Sequence, residues 1–281
     1  MKFRLFSLAA AAALLAASVS FFGTPASAAT TVVVTPVNQQ GWTGVPPGAD
    51  TRPGGTVGFV LDATAPGGDG ALQLTTNNTP TAKAQYMHAT STPLADVTDL
   101  SYWTKQISAS FVGGDPSYQV VTCLGGFDSN AVTPTNPLGC VGFTTLVYEP
   151  YQNGGVTPGV WQFWDVDAGM FWSSRSYTSG TCSVTAGGGG APFYTLSGLN
   201  ASCPDAEVIA FGVNIGSNNP SYNVYTDLVT FNGTTYDFEV NSAPSDKEQC
   251  KNGGWQTFNP NRPAGPFKNQ GDCIQYFNTG K

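Results

Sequence analysis

Charge is what this 281-residue sequence has least of: charged residues make up 10% of it, against about a quarter in an ordinary soluble chain. Lys, Glu and Arg, the residues that cover exposed helix surfaces, are the scarce ones, and the chain beyond the first thirty residues has no strong helical periodicity. Without crossover helices, a parallel α/β sheet is excluded. The single histidine, His88, leaves little room for a Ser-His-Asp or Cys-His site, and no G-x-S-x-G occurs. His88 reads as a strand residue with no catalytic role. One histidine and no C-x-x-C also argue against thiolate–metal chemistry. Beyond the N-terminal segment, no apolar run reaches the ~20 residues that span a bilayer, so no transmembrane segment is expected after signal cleavage.

That N-terminal segment is the first thing present. MKFR, then LFSLAAAAALLAASVSFF, then a small-residue site with Ala26 and Ala28 read as a signal peptide, residues 1–28, cleaved after Ala28. The expectation is a secreted, extracellular protein. Between 29 and 245 stand four basic residues, Arg52, Lys83, Lys105 and Arg175, against fifteen acids; from 246 onward five bases face three acids. An acidic body argues against nucleic acid and anionic lipid as partners. Six cysteines behind an export signal imply disulfides. Spacing leaves fifteen connectivities open; the local pairs Cys123–Cys140, Cys182–Cys203 and Cys250–Cys273 are preferred because each flanks a Gly-, Pro-, Asn- or Ser-rich loop.

The body, 29–240, reads as short extended runs between turn residues: 31–37, 56–63, 70–76, 83–90, 99–107, 118–124, 140–150, 159–168, 170–174, 207–216, 223–231 and 234–240. Asn232-Gly233 is the signal of a two-residue type I′ hairpin. One helical turn fits near Leu196–Leu199, and the glycine run 187–190 points to a flexible loop. This pattern predicts an all-β fold, an antiparallel β-sandwich of jelly-roll or lectin-like kind. A polar linker, 241–246, leads to a disulfide-clamped C-terminal tail, 247–281, too short to build a core unaided. Its apolar residues Trp255, Phe258, Phe267 and Tyr276 need a staple, the sandwich or a partner; docking of the basic tail onto the acidic body or independent folding is favoured over attachment to an anionic cell-wall polymer.

For chemistry, WQFWDVDAGMFWSSR (161–175) stands out. Asp165 and Asp167 share a strand face with Trp161 and Phe163, while Trp164 lies opposite. Aromatic rings stack on the C–H face of a pyranose and carboxylates accept bonds from its hydroxyls. The candidate ligand-binding set is therefore Trp161, Trp164, Asp165, Asp167, Trp172 and Tyr148, with Tyr151 and Glu149 nearby. The competing reading is ordinary core. An E-x-D-x-E strand, as in lectin-like β-glucanases, is not matched: Phe163 and Gly169 stand where its glutamates belong. No catalytic residue is assigned. No cofactor is expected except a structural calcium, for which Asp227 and Asp62 are candidate ligands with Asp237 and Glu239 beside them.

Four stretches, LADVTDLSYWT, GVWQFWDVDAGMFWSS, FGVNIGSNN and YTDLVTFNGTTYDFE, resemble secreted bacterial β-sandwich proteins of the carbohydrate-binding-module and lectin-like kind, over residues about 94 to 239. The tail CKNGGWQTF…FKNQGDC is similar to a C-terminal segment of exported bacterial proteins of unassigned function. The resemblance implies export and architecture and supplies no activity. The expected function is a non-enzymatic extracellular module binding a polysaccharide or cell-wall polymer through strand aromatics. The alternatives are a structural surface protein without a ligand site, and a glycoside hydrolase or lyase using paired carboxylates among Asp165, Asp167 and Glu149.

Overall fold

The computed structural model describes residues 30–44, 50–240, 244, 246–258 and 267–280. The expected signal peptide and most of the expected linker lie outside the described residues. In chain order the strands are β1 (Thr30–Val34), β2 (Trp42–Thr43), β3 (Gly55–Leu61), β4 (Gly70–Thr76), β5 (Lys83–Pro93), β6 (Leu100–Ser108), β7 (Ser117–Cys123) and β8 (Phe143–Tyr148). After the short helix α1 (Pro150–Asn153) come β9 (Gln162–Asp165), β10 (Phe171–Ser173), β11 (Tyr177–Ser179) and β12 (Cys182–Val184). Helix α2 (Leu196–Ser202) precedes β13 (Glu207–Gly216), β14 (Asn223–Phe231) and β15 (Thr234–Phe238), and α3 (Gln270–Thr279) lies in the tail.

The fold is the predicted β-sandwich. One sheet of six strands has the order β10–β8–β7–β13–β5–β2, antiparallel throughout. The other, of seven, is built on β14. Along one side β14 pairs with β6, which carries β9; along the other it pairs first with β4, which carries β3, and then with β15, which carries β1 in parallel. The β14–β15 turn has positive φ at both Asn232 and Gly233, as a type I′ hairpin requires.

Period-2 alternation sorts each strand into a core set and an outward set. Tyr118 and Val120 of β7, Phe211 and Val213 of β13, Leu146 and Tyr148 of β8, and Leu72 and Leu74 of β4 all enter one core. Buried phenols need partners. Tyr118 donates to the Thr230 carbonyl at 2.8 Å and Tyr102 to that of Pro116 at 2.7 Å. Aromatic packing is dense: Phe211 and Phe231 stack at 4.2 Å, and Trp42 meets Tyr86, Phe211, Tyr236 and Phe238 within 5.6 Å. His88 joins this cluster, stacked on Phe211 at 5.2 Å.

The three local disulfides form, Cys123–Cys140, Cys182–Cys203 and Cys250–Cys273. Each closes a loop and stabilises by roughly 3 kcal/mol on the chain-entropy account. The loop expected to be flexible around 187–190 is bounded by ordered structure: β11 and β12 form a hairpin, and α2 is capped by Thr195, whose hydroxyl accepts from the Gly198 amide at 3.1 Å. In the tail, Cys250, Phe258, Phe267 and Cys273 bury one another with Trp255, Ile274 and Tyr276 around them, a cluster separate from the sandwich core. Helix α3, unforeseen in the polar sequence 270–279, starts where Asn269 accepts from the Asp272 amide at 2.9 Å and stops at Gly280 in the left-handed region.

Candidate functional site

If one set of side chains on the six-stranded sheet faces the core, the other must face out, and the strand register arranges it in rows. Gln85, Asn214 and Ser117 lie abreast on β5, β13 and β7. The next row is Met87, Gly212, Gln119, Val147 and Trp172, reaching β8 and β10. The third contains Ala89, Ala210, Val121 and Thr145. Gly212 keeps the second row low: a Cβ there would stand 2.8 Å from the Met87 sulfur and 2.2 Å from the Tyr86 carbonyl.

Loops raise walls around this floor and enclose a groove of about 640 Å³. Phe111 and Tyr151 meet edge to face at 5.4 Å on one side. Tyr151 and Gln152 also hold the glycine loop, donating to the Gly189 carbonyl at 3.3 and 2.7 Å. Gly187 of that loop is where a Cβ would come within 2.9 Å of the Trp172 Cβ. Ser217 to Asn219, the Asp50–Arg52–Lys83 group, Phe143 and Arg175 complete the lining. Gly114 is required on the wall, because a Cβ would fall 2.0 Å from the Tyr222 hydroxyl oxygen.

The floor is amide and hydroxyl. Gln85 donates to the Gln119 side chain, Ser117 donates to the Asn214 carbonyl at 3.2 Å, and Asn214 donates to the Gly216 carbonyl at 3.0 Å. Three buried polar atoms of the lining make no hydrogen bond: Asp115 Oδ1, Trp172 Nε1 and Asn214 Oδ1. Such atoms cost about 1–3 kcal/mol each when unpaired, and three of the seven among the described residues lie at this groove.

Three carboxyl groups line the groove: Asp50, whose pKa the bond from Arg52 holds below its ordinary value, Asp115 and Glu149. Burial pushes Asp115 up to about 7, and the bond donated by Thr104 to its Oδ2 offsets only part of that. Thr104 is itself fixed by Trp164, whose Nε1 donates to its hydroxyl at 2.7 Å. Burial likewise pushes Glu149 up to about 8; the Trp172 indole beside it pulls the other way, though its Nε1 forms no bond of regular geometry.

No family model matches the chain, and no curated protein matches it. Among solved structures, the family 11 carbohydrate-binding module of the cellulosomal cellulase Lic26A-Cel5E of Clostridium thermocellum is similar at 13% identity and a TM-score of 0.34, over 66% of this chain and 85% of that one. A family 11 module from Clostridium thermocellum in complex with a β-1,3-1,4-mixed-linked tetrasaccharide is similar at 12% identity and a TM-score of 0.36, over 68% and 87%. Likeness at that level assigns no ligand.

The expected ligand-binding residues separate. Trp172 lines the groove, and so do Tyr151 and Glu149. Tyr148 is 2% exposed and packs in the core against Tyr102 and Phe171, because its parity on β8 is opposite to that of Val147 and Glu149. Trp164 also faces the core and reaches the groove only through Thr104. Trp161 belongs to the seven-stranded side: its Nε1 donates to Asp62 at 3.3 Å, and the Lys105 ammonium lies 5.8 Å over its ring. Asp165 is exposed on edge strand β9, and Asp167 accepts from the Leu100 amide at 2.6 Å, a structural bond at the strand end. The carboxylates proposed for hydrolysis are thus split, Glu149 in the groove and Asp165 and Asp167 outside it.

The candidate calcium ligands do not converge. Asp62 takes Lys105 at 2.6 Å and the Thr64 amide and hydroxyl, which outweigh burial and hold it at about 2. Asp227 is fully buried, accepts from the Gly67 and Phe238 amides at 3.0 and 2.9 Å, and is raised by burial to about 8. Asp237 and Glu239 lie near Asp227 and the Gly67–Asp69 turn. Among the described residues no group of three or more His, Cys, Asp or Glu side chains is arranged to hold a metal ion.

Sequence reading missed Gln85, Asp115, Ser117, Gln119 and Asn214. Polar residues at alternate positions of otherwise apolar strands, KAQYMHA, SYQVV and FGVNIG, are the signal that carries all of these but Asp115, which lies in the loop before β7.

Proposed function

We propose that this chain is an exported, non-enzymatic protein that binds a polysaccharide in the groove on the outer face of its six-stranded sheet. The observation that carries the reading is the set of unpaired buried polar atoms, Asp115 Oδ1, Trp172 Nε1 and Asn214 Oδ1, set among amide side chains and beside an indole ring. A sugar ring offers hydroxyls that both donate and accept, and a C–H face that packs on an aromatic ring. A concave face lined by amide, hydroxyl and indole groups supports that reading over a purely structural one. Export is supported by the N-terminal signal sequence and by three disulfides, which persist in oxidising compartments.

Hydrolysis has one observation in its favour, the two carboxyls Asp115 and Glu149 in one groove. Acid–base chemistry wants environments that push two such groups apart, whereas burial raises both here. Binding without turnover fits better.

The test is affinity electrophoresis and a polysaccharide array with the mature protein, its Trp172→Ala variant and its Gln119→Ala variant. Retention by at least one polymer, weakened in both variants without release of reducing sugar, is expected. Retention unaffected by either change would place binding elsewhere, and release of reducing ends abolished by Glu149→Gln would make the protein an enzyme.

A further inference from the structure

The groove concentrates positive charge in a body, 29–245, that has little of it. Of the four basic residues between 29 and 245, three line it: Arg52, Lys83 and Arg175. The fourth, Lys105, is tied to Asp62 at 2.6 Å on the opposite sheet. Random placement among fifteen acids would scatter them. At one end of the groove Arg52 and Lys83 share Asp50, at 2.5 and 3.4 Å. At the other end Arg175 has no ion pair among the described residues. Its guanidinium lies 4.8 Å from the centroid of the Phe143 ring, and its amide is fixed by the Thr144 hydroxyl at 3.0 Å. The remaining groove carboxyls, Asp115 and Glu149, are held toward their neutral forms by burial and do not cancel this charge at mildly acidic pH.

A guanidinium stacked on a ring keeps its five N–H donors in the plane and pointing outward, the arrangement that takes a carboxylate through two parallel bonds. A neutral sugar needs no such group. Resting on the glycan-binding reading, we infer that the polysaccharide seated in this groove is acidic, and that Arg175, braced by Phe143, receives the carboxylate of a uronic-acid unit. The acidic exterior then serves selection: it repels polyanions everywhere except along this groove.

The experiment is calorimetric titration of the full mature protein with polygalacturonate oligomers, the same oligomers after carboxyl reduction, a neutral mixed-linkage β-glucan and a sulfated glycan. The polyuronate is expected to bind about tenfold more tightly than its reduced form, the preference shrinking at high salt. Arg175→Gln should abolish the preference, bringing the polyuronate down to the affinity of the reduced oligomer; Arg175 is exposed, so the change does not threaten folding. Equal binding of the polyuronate and its reduced form, or a preference that survives Arg175→Gln, overturns the inference. Sulfated and uronic polymers binding alike would overturn the carboxylate assignment. Neutral glucan bound in a Trp172-dependent manner, with no acidic preference, would leave the groove reading standing and remove this one. Binding of no glycan at all would remove both.

Discussion

The two outer faces of the sandwich carry the same kinds of residue and use them in opposite ways. On the seven-stranded side Trp161, Trp103, Phe163, Lys105 and Asp62 satisfy one another: Lys105 bonds Asp62 at 2.6 Å, Trp161 donates to the same carboxylate, and Trp103 packs on Phe163 at 5.5 Å. On the six-stranded side Trp172, Asp115 and Asn214 are buried with atoms left unpaired, and Arg175 has no acidic partner among the described residues. Aromatic residues with carboxylates do not by themselves make a binding face. What separates the groove from the Trp161–Asp62–Lys105 cluster is that the cluster's bonds close on one another and the groove's do not, although β15 of the seven-stranded sheet also leaves Asp237 Oδ1 unpaired.

The largest expected effect comes from opening the groove's hydrogen bonding further. Thr104→Val removes both the donor to Asp115 and the acceptor of Trp164 Nε1, two buried groups at once. It should destabilise the fold by about 2–4 kcal/mol, read as a lower urea midpoint at unchanged slope. A loss under about 0.5 kcal/mol would mean that water or a neighbour replaces the hydroxyl. Next comes the contrast in binding. Trp172→Ala should weaken the retained glycan by about ten- to fiftyfold, as loss of a central aromatic does, whereas Trp161→Ala should change it less than about twofold. The reverse result would move the site to the other sheet. Smaller again, Asp62→Asn should cost about 1 kcal/mol of stability and leave affinity unchanged, because the ion pair it breaks is only partly shielded and stands apart from the groove.

The smallest effect is in pH, where Glu149 at the groove and Asp62 on the opposite sheet titrate in opposite senses. Glu149 has its pKa raised by burial to about 8 from an ordinary 4.5, so between those values the folded state holds a proton that the unfolded chain releases. Its stabilisation is complete below about 4.5 and is lost as pH rises through about 8. Asp62, held by Lys105 and Thr64 against the opposing pull of burial, sits at about 2; its contribution is present above about 4 and disappears as pH falls through 2. The melting temperature should therefore decline from pH 6 to 8.5, and Glu149→Gln should shrink that decline without removing it, because burial also raises Asp115 to about 7, Asp227 to about 8 and Glu239 to about 7. An unchanged slope in the variant would show that Glu149 is not among the groups being titrated.

Much of the fold could be read from local pattern. Period-2 alternation and Gly, Pro and Asn turns placed twelve extended runs, which correspond to β1, β3 to β10 and β13 to β15. The misses were short or polar elements. β2, β11 and β12 have two or three residues each, below the length at which alternation can be recognised, and α3 depends on its caps and the Cys250–Cys273 bridge rather than on an apolar stripe. The site was far less legible. Tyr148 is a groove candidate by its chemistry, yet β8 turns it into the core. Asp115 follows two glycines in FVGGDPS, and only the fold buries it beside Thr104 and Trp164.

An all-β chain, the positions of its main strands and cysteine pairs suited to local bridges were legible in the sequence alone, because each of these follows from composition or from local pattern. Tertiary structure alone decided which of two alternating faces is outward, and so whether a given tryptophan is core or groove. Alternation divides a strand into two sets without saying which one the opposing sheet will cover; that choice is made by the packing of both sheets together. It also brought Gln85, Asp115, Glu149, Trp172, Arg175 and Asn214 to one groove, and the burial that shifts Asp115 and Glu149 exists only once those strands and loops have closed around them.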